Sequence, residues 1–179
     1  MLTREEVLEL IATPKVSEKG RELIYHHNIF ENVYALKSVD DDSVKFKVDF
    51  SQHKQIALKL SCHHRDGANI GLIRVDYNGP MHRNPKTITS EVPKVLHNYA
   101  GFTIPARESH VHIYVEGEDL NWAIPLKDFS KFSNNERDGI SVVQLDINTH
   151  DEKFHAVRSF ANTIHVQTPI TTVGSLTFN

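Results

Sequence analysis

Alternating apolar and polar residues predict a series of strands in the first half of the chain. Positions 44–50 alternate apolar residues with charged ones, and positions 56–62 repeat the alternation. A period of two is typical of a strand that buries one face. Positions 32–39 and 69–79 also favour strands, and the turn signal Asn78-Gly79-Pro80 closes the second.

Two capping boxes predict where helices begin. Thr3 and Glu6 have the required spacing and open a helix that ends before Pro14, and positions 17–25 favour a second short helix. Near the other end of the chain, Thr149 pairs in the same way with a glutamate three residues later and opens a helix to about Asn162. Helices are therefore expected at both ends of the chain.

The remaining strands are expected at positions 109–117, 121–126 and 140–145. The whole pattern predicts one α+β domain over residues 1–179, in which short N-terminal helices and a C-terminal helix pack on an antiparallel sheet. Residues 1–27 form the N-terminal helical segment and residues 28–179 the sheet core.

A long loop at 79–109 interrupts the core pattern. Its prolines and glycines predict a mostly irregular segment, and irregular loops of this length in compact domains are often functional. Between positions 81 and 107 the chain has one acidic residue, Glu91, and four basic residues, which are Arg83, Lys86, Lys94 and Arg107. The loop is therefore a local basic patch.

Composition narrows the possible functions. The net charge is −3, from 20 basic and 23 acidic residues, which disfavours a protein that coats duplex nucleic acid. A single cysteine, Cys62, excludes an intrachain disulfide and favours a reducing compartment, most simply the cytosol. No apolar run reaches the length of a membrane span, so no membrane partner is expected.

The 12 histidines provide the candidate chemistry. Strand alternation places His110, His112 and Tyr114 on one face, with the two imidazoles about 6.7 Å apart along the strand. Arg74 and Asp76 share a face of an earlier strand. If the two strands are neighbours, one surface collects the candidate catalytic residues, which are Asp76, His82, His110, His112 and Tyr114. The candidate contacts to RNA or phosphate are Arg74, Arg83, Asn84, Lys86, Arg107 and Trp122.

Three interpretations of this surface remain open. The first is metal-free RNA cleavage, in which His110 and His112 act as acid and base, with His82 as a third candidate. Asp76 would orient an imidazole, Tyr114 would donate a hydrogen bond, and Arg74 or Arg83 would hold the phosphate. The second is a zinc site, because His-x-His on a strand with a third histidine is a known zinc arrangement. The third is a purely structural set of histidines that satisfy their neighbours or contact a partner. We expect the site to work without a metal and without a cofactor.

Two segments resemble a known domain family. LIRVDYNGPMHRNP (72–85) and HVHIYVEGEDLNWAIPL (110–126) are similar to the signature of an uncharacterised family of bacteria and their phages. That signature is a strand ending in Asp-x-Asn-Gly-Pro, then His-x-Asn-Pro, a loop, Pro-His-Leu-His-Ile-Tyr and a Trp-Ala-x-Pro-Leu turn. This chain departs from it in a longer loop with an extra histidine, His97, and in Ser109 where the family usually has proline.

The resemblance implies a phage or mobile-element protein with anti-defence activity. One such class inhibits CRISPR-Cas9, and the most specific expectation is an anti-CRISPR protein of the type II-A class that inactivates Cas9 by truncating its guide RNA. The expected partners are therefore RNA and Cas9, and the expected activity is that of an endoribonuclease. The alternatives are a non-enzymatic inhibitor that binds a host protein and a zinc-dependent hydrolase.

Overall fold

A computed structural model describes residues 1–52 and 59–173. The helices are α1 (Arg4–Ala12), α2 (Leu126–Phe129) and α3 (His150–Thr163), with a 3-10 helix at Lys94–Tyr99. The strands are β1 (Lys15–Ser17), β2 (Leu23–Tyr25), β3 (Glu31–Ser38), β4 (Lys45–Gln52), β5 (Leu60–Asp66), β6 (Gly71–Tyr77), β7 (His82–Arg83), β8 (Thr103–Ile104), β9 (His110–Val115), β10 (Asp119–Pro125) and β11 (Ile170–Thr172).

A seven-stranded sheet is the centre of the fold, in the order β1-β3-β4-β5-β6-β9-β10 with every neighbouring pair antiparallel. One face is apolar, because Phe50, Cys62, Val75 and Val111 follow one another across four strands. The C-terminal helix α3 packs on this face, where the ring of Phe160 lies 6.3 Å from that of Phe50. The predicted α+β class, with an antiparallel sheet and a C-terminal helix packed on it, is confirmed.

The opposite face of the same strands is polar. Side chains of directly paired residues stand on the same side of a sheet, so the pairing defines two polar rows. The first row is Asp49, His63, Arg74 and His112, and the second is Ser51, Ser61, Asp76 and His110. Alternation along each strand thus divides the sheet into an apolar face and a face with ionisable groups.

The predicted second helix at 17–25 is wrong, because the chain forms two short strands there. Val16 of β1 pairs with Lys37 on β3, and β2 runs parallel to β11 near the C-terminus. In these pairings the backbone N–H and C=O groups of the segment find hydrogen-bond partners that are distant in sequence. A local sequence pattern does not indicate such partners. Within residues 1–27 the structure has one helix, α1, and its predicted capping box is present at Thr3 and Glu6.

The predicted strand at 140–145 is also wrong. Ile140 and Val142 are buried, but the segment has no regular secondary structure. The carbonyl of Val143 instead accepts a hydrogen bond from the hydroxyl of Tyr77, at 3.1 Å. The apolar residues there cover the core without joining a sheet.

The other predicted elements are confirmed in outline. The alternation at 44–50 and the strands at 32–39, 69–79, 109–117 and 121–126 correspond to β4, β3, β6, β9 and β10. Of the predicted strand at 56–62, positions 56–58 lie outside the described residues and the rest belongs to β5. Thr149 caps α3 by accepting from the backbone of Glu152 at 3.1 Å, and the Glu152 carboxylate accepts from the backbone of Asn148 at 2.6 Å.

The segment 79–109 has more structure than its composition indicates. It contains the short antiparallel pair β7 and β8 and the 3-10 helix Lys94–Tyr99. Within the described part of the chain, no helix is long and apolar enough to cross a membrane.

Lys15 joins the two ends of the fold, and its replacement by methionine is expected to destabilise the protein. The buried ammonium donates to the carbonyls of Ile11, Thr13 and Ile164, at 2.6–3.0 Å. Lys15→Met would leave these acceptors unpaired beside the ends of α1 and α3, so we expect a loss of about 2 kcal/mol in the free energy of unfolding. Urea denaturation measures the loss, and an unchanged midpoint would contradict the prediction. Exposed Lys19→Met serves as the control.

Candidate functional site

Antiparallel pairing of β6 with β9 brings the predicted catalytic residues together. Arg74 lies directly opposite His112, and Asp76 lies opposite His110. Asp76 Oδ2 is 3.2 Å from His112 Nε2 and 3.5 Å from His110 Nε2. Both histidines are 0% exposed. A carboxylate and two imidazoles therefore meet in a buried cluster.

Backbone carbonyls fix the tautomer of both imidazoles. His110 Nδ1 is 2.8 Å from the carbonyl oxygen of Glu108, and His112 Nδ1 is 2.9 Å from that of Leu120. A carbonyl oxygen only accepts, so each Nδ1 carries the proton that it donates. Burial lowers the pKa of His112 to about 4 and also lowers that of His110. At neutral pH each Nε2 therefore presents a lone pair.

Arg74 is the cation nearest to these lone pairs. Its Nη2 lies 2.7 Å from His112 Nε2 and 3.2 Å from Asp76 Oδ2, and both of those atoms accept. Burial by itself raises the pKa of the Asp76 carboxyl, but the neighbouring groups, among them the charge of Arg74 and a hydrogen bond from Ser61, outweigh it and hold that pKa well below its usual range. Asp76 is therefore an ionised carboxylate.

His110 Nε2 is the unsatisfied atom of the cluster. It is buried and has no hydrogen-bond partner among the described residues. Ligand atoms of Asp76, His110 and His112 all lie within 4.8 Å of one another. A buried acceptor without a donor costs free energy, so this lone pair is available to a donor or to a cation.

His82 covers the cluster on the side of the loop. Its ring centroid is 4.7 Å from that of His112 and 5.8 Å from that of His110. Its Nε2 lies 3.0 Å from Asn84 Oδ1 and 3.1 Å from the carbonyl oxygen of Asn121, so Nε2 donates to these two oxygens. Because His82 is half-buried, it is the imidazole of the cluster that is accessible to solvent.

Asn84, predicted to contact RNA, has a structural role. Its side-chain amide donates to the carbonyls of Tyr99 and Ala123, and its oxygen accepts from the Ala123 backbone at 2.8 Å. The residue is 2% exposed. Asn84 therefore attaches the loop to the outer edge of β10.

Two other predicted residues lie away from the cluster. Trp122 is fully buried and its indole donates to Glu118, so no base can stack on it. The hydroxyl of Tyr114 donates to the carbonyl of Leu2 at 2.7 Å, which directs it towards the N-terminal segment. The burial of Trp122 and the direction of the Tyr114 hydroxyl both depend on tertiary packing, which the sequence pattern does not indicate.

The remaining predicted phosphate contacts lie on the surface. Arg83, Lys86 and Arg107 are exposed on the segment that covers the cluster. Arg83 follows His82 directly, and the backbone of Arg107 donates to the carbonyl of Gly79. These cations lie on the surface of the segment that carries His82.

A cleft of about 380 Å3 lies beside the cluster, and it is lined by His63, which was not among the predicted site residues. Arg74, Leu120 and His63 are among its lining residues. The motif His63-His64-Arg65-Asp66-Gly67 resembles a solvated turn, yet both histidines lie within β5. A larger cleft of about 440 Å3, beside β2 and β3, includes none of the cluster residues. We place the candidate site at the smaller cleft because the ionisable groups converge there.

Comparison with known proteins identifies the family and no activity. A model of the family of unknown function DUF6978 matches residues 2–166. The chain belongs to this family. The match agrees with the motifs, which resemble an uncharacterised family, and it assigns no substrate. Neither a curated protein nor a solved structure matches the chain significantly.

Proposed function

We propose that this protein cleaves RNA and that its active site is the cluster of Asp76, His82, His110 and His112. The observation that carries the proposal is the convergence of three imidazoles and a carboxylate beside the guanidinium of Arg74. Cleavage by the ribose 2′-hydroxyl needs a proton acceptor, a proton donor and a cation for the charged phosphorus intermediate. The cluster contains candidates for all three roles.

The roles follow from the tautomers and the exposure of each group. A neutral Nε2 of His110 or His112 offers a lone pair, which takes the 2′-hydroxyl proton directly or holds an ion whose bound hydroxide takes it. The 2′-oxygen then attacks phosphorus, and the 5′-oxygen leaves with a proton. We assign that proton to the imidazolium form of His82, the accessible imidazole, which becomes neutral as the 5′-oxygen leaves. Arg74 stabilises the additional negative charge on the phosphate oxygens.

Access to the cluster requires the covering segment to move. His110 and His112 are fully buried, whereas Arg83, Lys86 and Arg107 are exposed on the segment above them. RNA phosphates attracted to these cations would bring the substrate to His82 and to the cleft beside Arg74. The basic segment therefore has a role in binding, separate from catalysis.

The specific substrate that we propose is the guide RNA held by Cas9. The net charge of −3 gives the protein little affinity for free RNA, because that affinity depends on positive charge. An enzyme that acts on RNA already bound to another protein does not need such affinity. Truncation of the guide RNA would make this chain an anti-CRISPR protein that acts in the cytosol of a bacterial host.

An RNA-integrity assay tests the proposal. Cas9–guide complex and bulk RNA are each incubated with wild type, His112→Ala, Asp76→Asn and the control His97→Ala, which alters an exposed histidine of the loop. We expect discrete fragments with wild type and His97→Ala, and at least about a 100-fold slower reaction with the two cluster variants, the typical minimum for loss of an acid–base group.

Two further comparisons make the assay decisive. Cleavage that persists in EDTA assigns the chemistry to imidazoles alone, and cleavage that stops in EDTA and returns with Zn2+ assigns it to a bound ion. Intact RNA in every lane with folded protein would overturn the proposal. In that event, capture of Cas9 by the chain would support a non-enzymatic inhibitor.

A further inference from the structure

We infer that Nε2 of His110, Nε2 of His112 and Oδ2 of Asp76 form a binding site for one divalent transition-metal ion of the Zn2+ class. The three residues come from two neighbouring strands of one sheet, so the backbone ladder positions them before any ion binds. Their ligand atoms lie within 4.8 Å of one another, so a small shift of side chains brings each to the 2.0–2.2 Å that zinc requires.

The first argument is that the cluster has more acceptors than donors. Asp76 Oδ2 and both Nε2 atoms accept, and the one cation among them, Arg74, contacts Asp76 and His112. His110 Nε2 has no hydrogen-bond partner among the described residues although the side chain is 0% exposed. A divalent ion would satisfy all three acceptors at once.

The second argument concerns the hydrogen bonds that surround the site. Histidines that bind metals usually donate the other ring N–H to a carbonyl or a carboxylate, which fixes the tautomer and orients the ring. His110 and His112 both do so, to Glu108 and Leu120. Ser61 donates to Asp76 as well. The groups that would support a metal ion are therefore in place.

The third argument is that Arg74 already occupies a cation position and has room to leave it. Its guanidinium bridges His112 Nε2 and Asp76 Oδ2, and its side chain is 33% exposed. The cleft of about 380 Å3 beside it can accept the displaced side chain. We expect the ion to take the place of this guanidinium in the cluster.

The donor set determines the class of ion. Imidazole nitrogens suit Zn2+ and its neighbours in the first transition row, whereas Mg2+ and Ca2+ prefer oxygen ligands. Three protein ligands leave a fourth position for water, which is typical of a catalytic zinc site. If the protein cleaves RNA as proposed, the hydroxide formed from that water would be the proton acceptor; metal binding itself does not depend on this activity.

Metal titration tests the inference without any RNA. Protein stripped with EDTA is titrated with Zn2+ by calorimetry and with Co2+ by visible absorption, whose d–d bands report coordination geometry. We expect one equivalent of Zn2+, and at least about 100-fold weaker binding in Asp76→Asn and His112→Ala, since loss of an outer partner of a ligand already costs 10–100-fold. Mg2+ at equal concentration is expected to give no signal.

Matched controls separate this site from other histidines and from misfolding. His27 and His150 form a second pair near the surface, with ring centroids 5.2 Å apart, so His150→Ala should keep the full Zn2+ response. Arg74→Gln removes the competing guanidinium and should bind Zn2+ at least as tightly as wild type. Circular dichroism confirms that each variant is folded.

Three results would overturn the inference. They are less than a tenth of an equivalent of bound Zn2+, binding that His150→Ala abolishes, and binding that Asp76→Asn and His112→Ala leave unchanged. Metal binding with intact RNA would reject only the RNA-cleavage proposal. RNA cleavage in EDTA without metal binding would reject only the metal site.

Discussion

The free energy of unfolding is expected to fall steeply as the pH is lowered from about 6.5 to 4. Burial lowers the pKa of His112 from 6.5 to about 4 in the folded protein, and burial with the charges of Arg65 and Arg74 does the same for His63. Between these two pH values the unfolded chain binds protons that the folded protein does not bind. Stability is therefore lost as the pH falls through this interval.

The size of the effect follows from the pKa difference. One pKa unit corresponds to about 1.4 kcal/mol, so each of these two imidazoles removes on the order of 3 kcal/mol by pH 4. The sum is comparable to the whole stability of many domains, which is about 5–15 kcal/mol. Asp76 acts at lower pH, because its lowered pKa contributes stability that is lost only below the ordinary range of a carboxyl group.

His64 gives a sharp test of this prediction. It is fully buried, its ring centroid is 5.5 Å from that of Phe46, and neither of its ring nitrogens has a hydrogen-bond partner among the described residues. Burial lowers its pKa well below the ordinary value. His64→Leu should therefore raise stability at pH 7 and raise it more at pH 5.

Urea denaturation at pH 7, 6, 5 and 4 measures the dependence. His155→Ala, at an exposed position of α3, should keep the wild-type slope of stability against pH. A wild-type protein whose stability is constant from pH 7 to 4 would show that these imidazoles take up protons at the same pH in the folded protein and in the unfolded chain, and it would contradict the prediction.

Gly79→Ala is expected to destabilise the protein by about 1–3 kcal/mol, as overpacking of a well-packed site does. A Cβ at this position would lie 2.7 Å from Cε1 of His110 and 2.8 Å from Cβ of Asp76. Both contacts are too short for carbon atoms, and both partners are anchored in paired strands. The turn must move away, and His82 moves with it.

Gly71→Ala is the matched control for the crowding at Gly79. The Cβ added at Gly71 would meet the end of the Leu120 side chain at 2.6 Å and His63 Nε2 at 3.0 Å. Leu120 is only half-buried and can turn away, so we expect the smaller loss at this site. Thermal unfolding compares the two variants, and equal losses would show that the cluster does not constrain Gly79.

The sequence by itself determined which residues share a face of the sheet. Because side chains alternate along a strand, His110 and His112 had to stand together, and so did Arg74 and Asp76. The Asn78-Gly79-Pro80 turn after β6 likewise followed from residue types. These features depend on neighbours within a few residues, and local periodicity reports such neighbours reliably.

The tertiary structure decided what local patterns do not contain. Residues 78–109 separate β6 from β9, and only the sheet order shows that the two strands pair. The same long-range pairing made strands of β1 and β2 where a helix was predicted. Burial and the carbonyls of Glu108 and Leu120 then set the protonation of the two histidines. Residue types supplied the imidazoles, and the packing of distant segments determined that their lone pairs face Asp76.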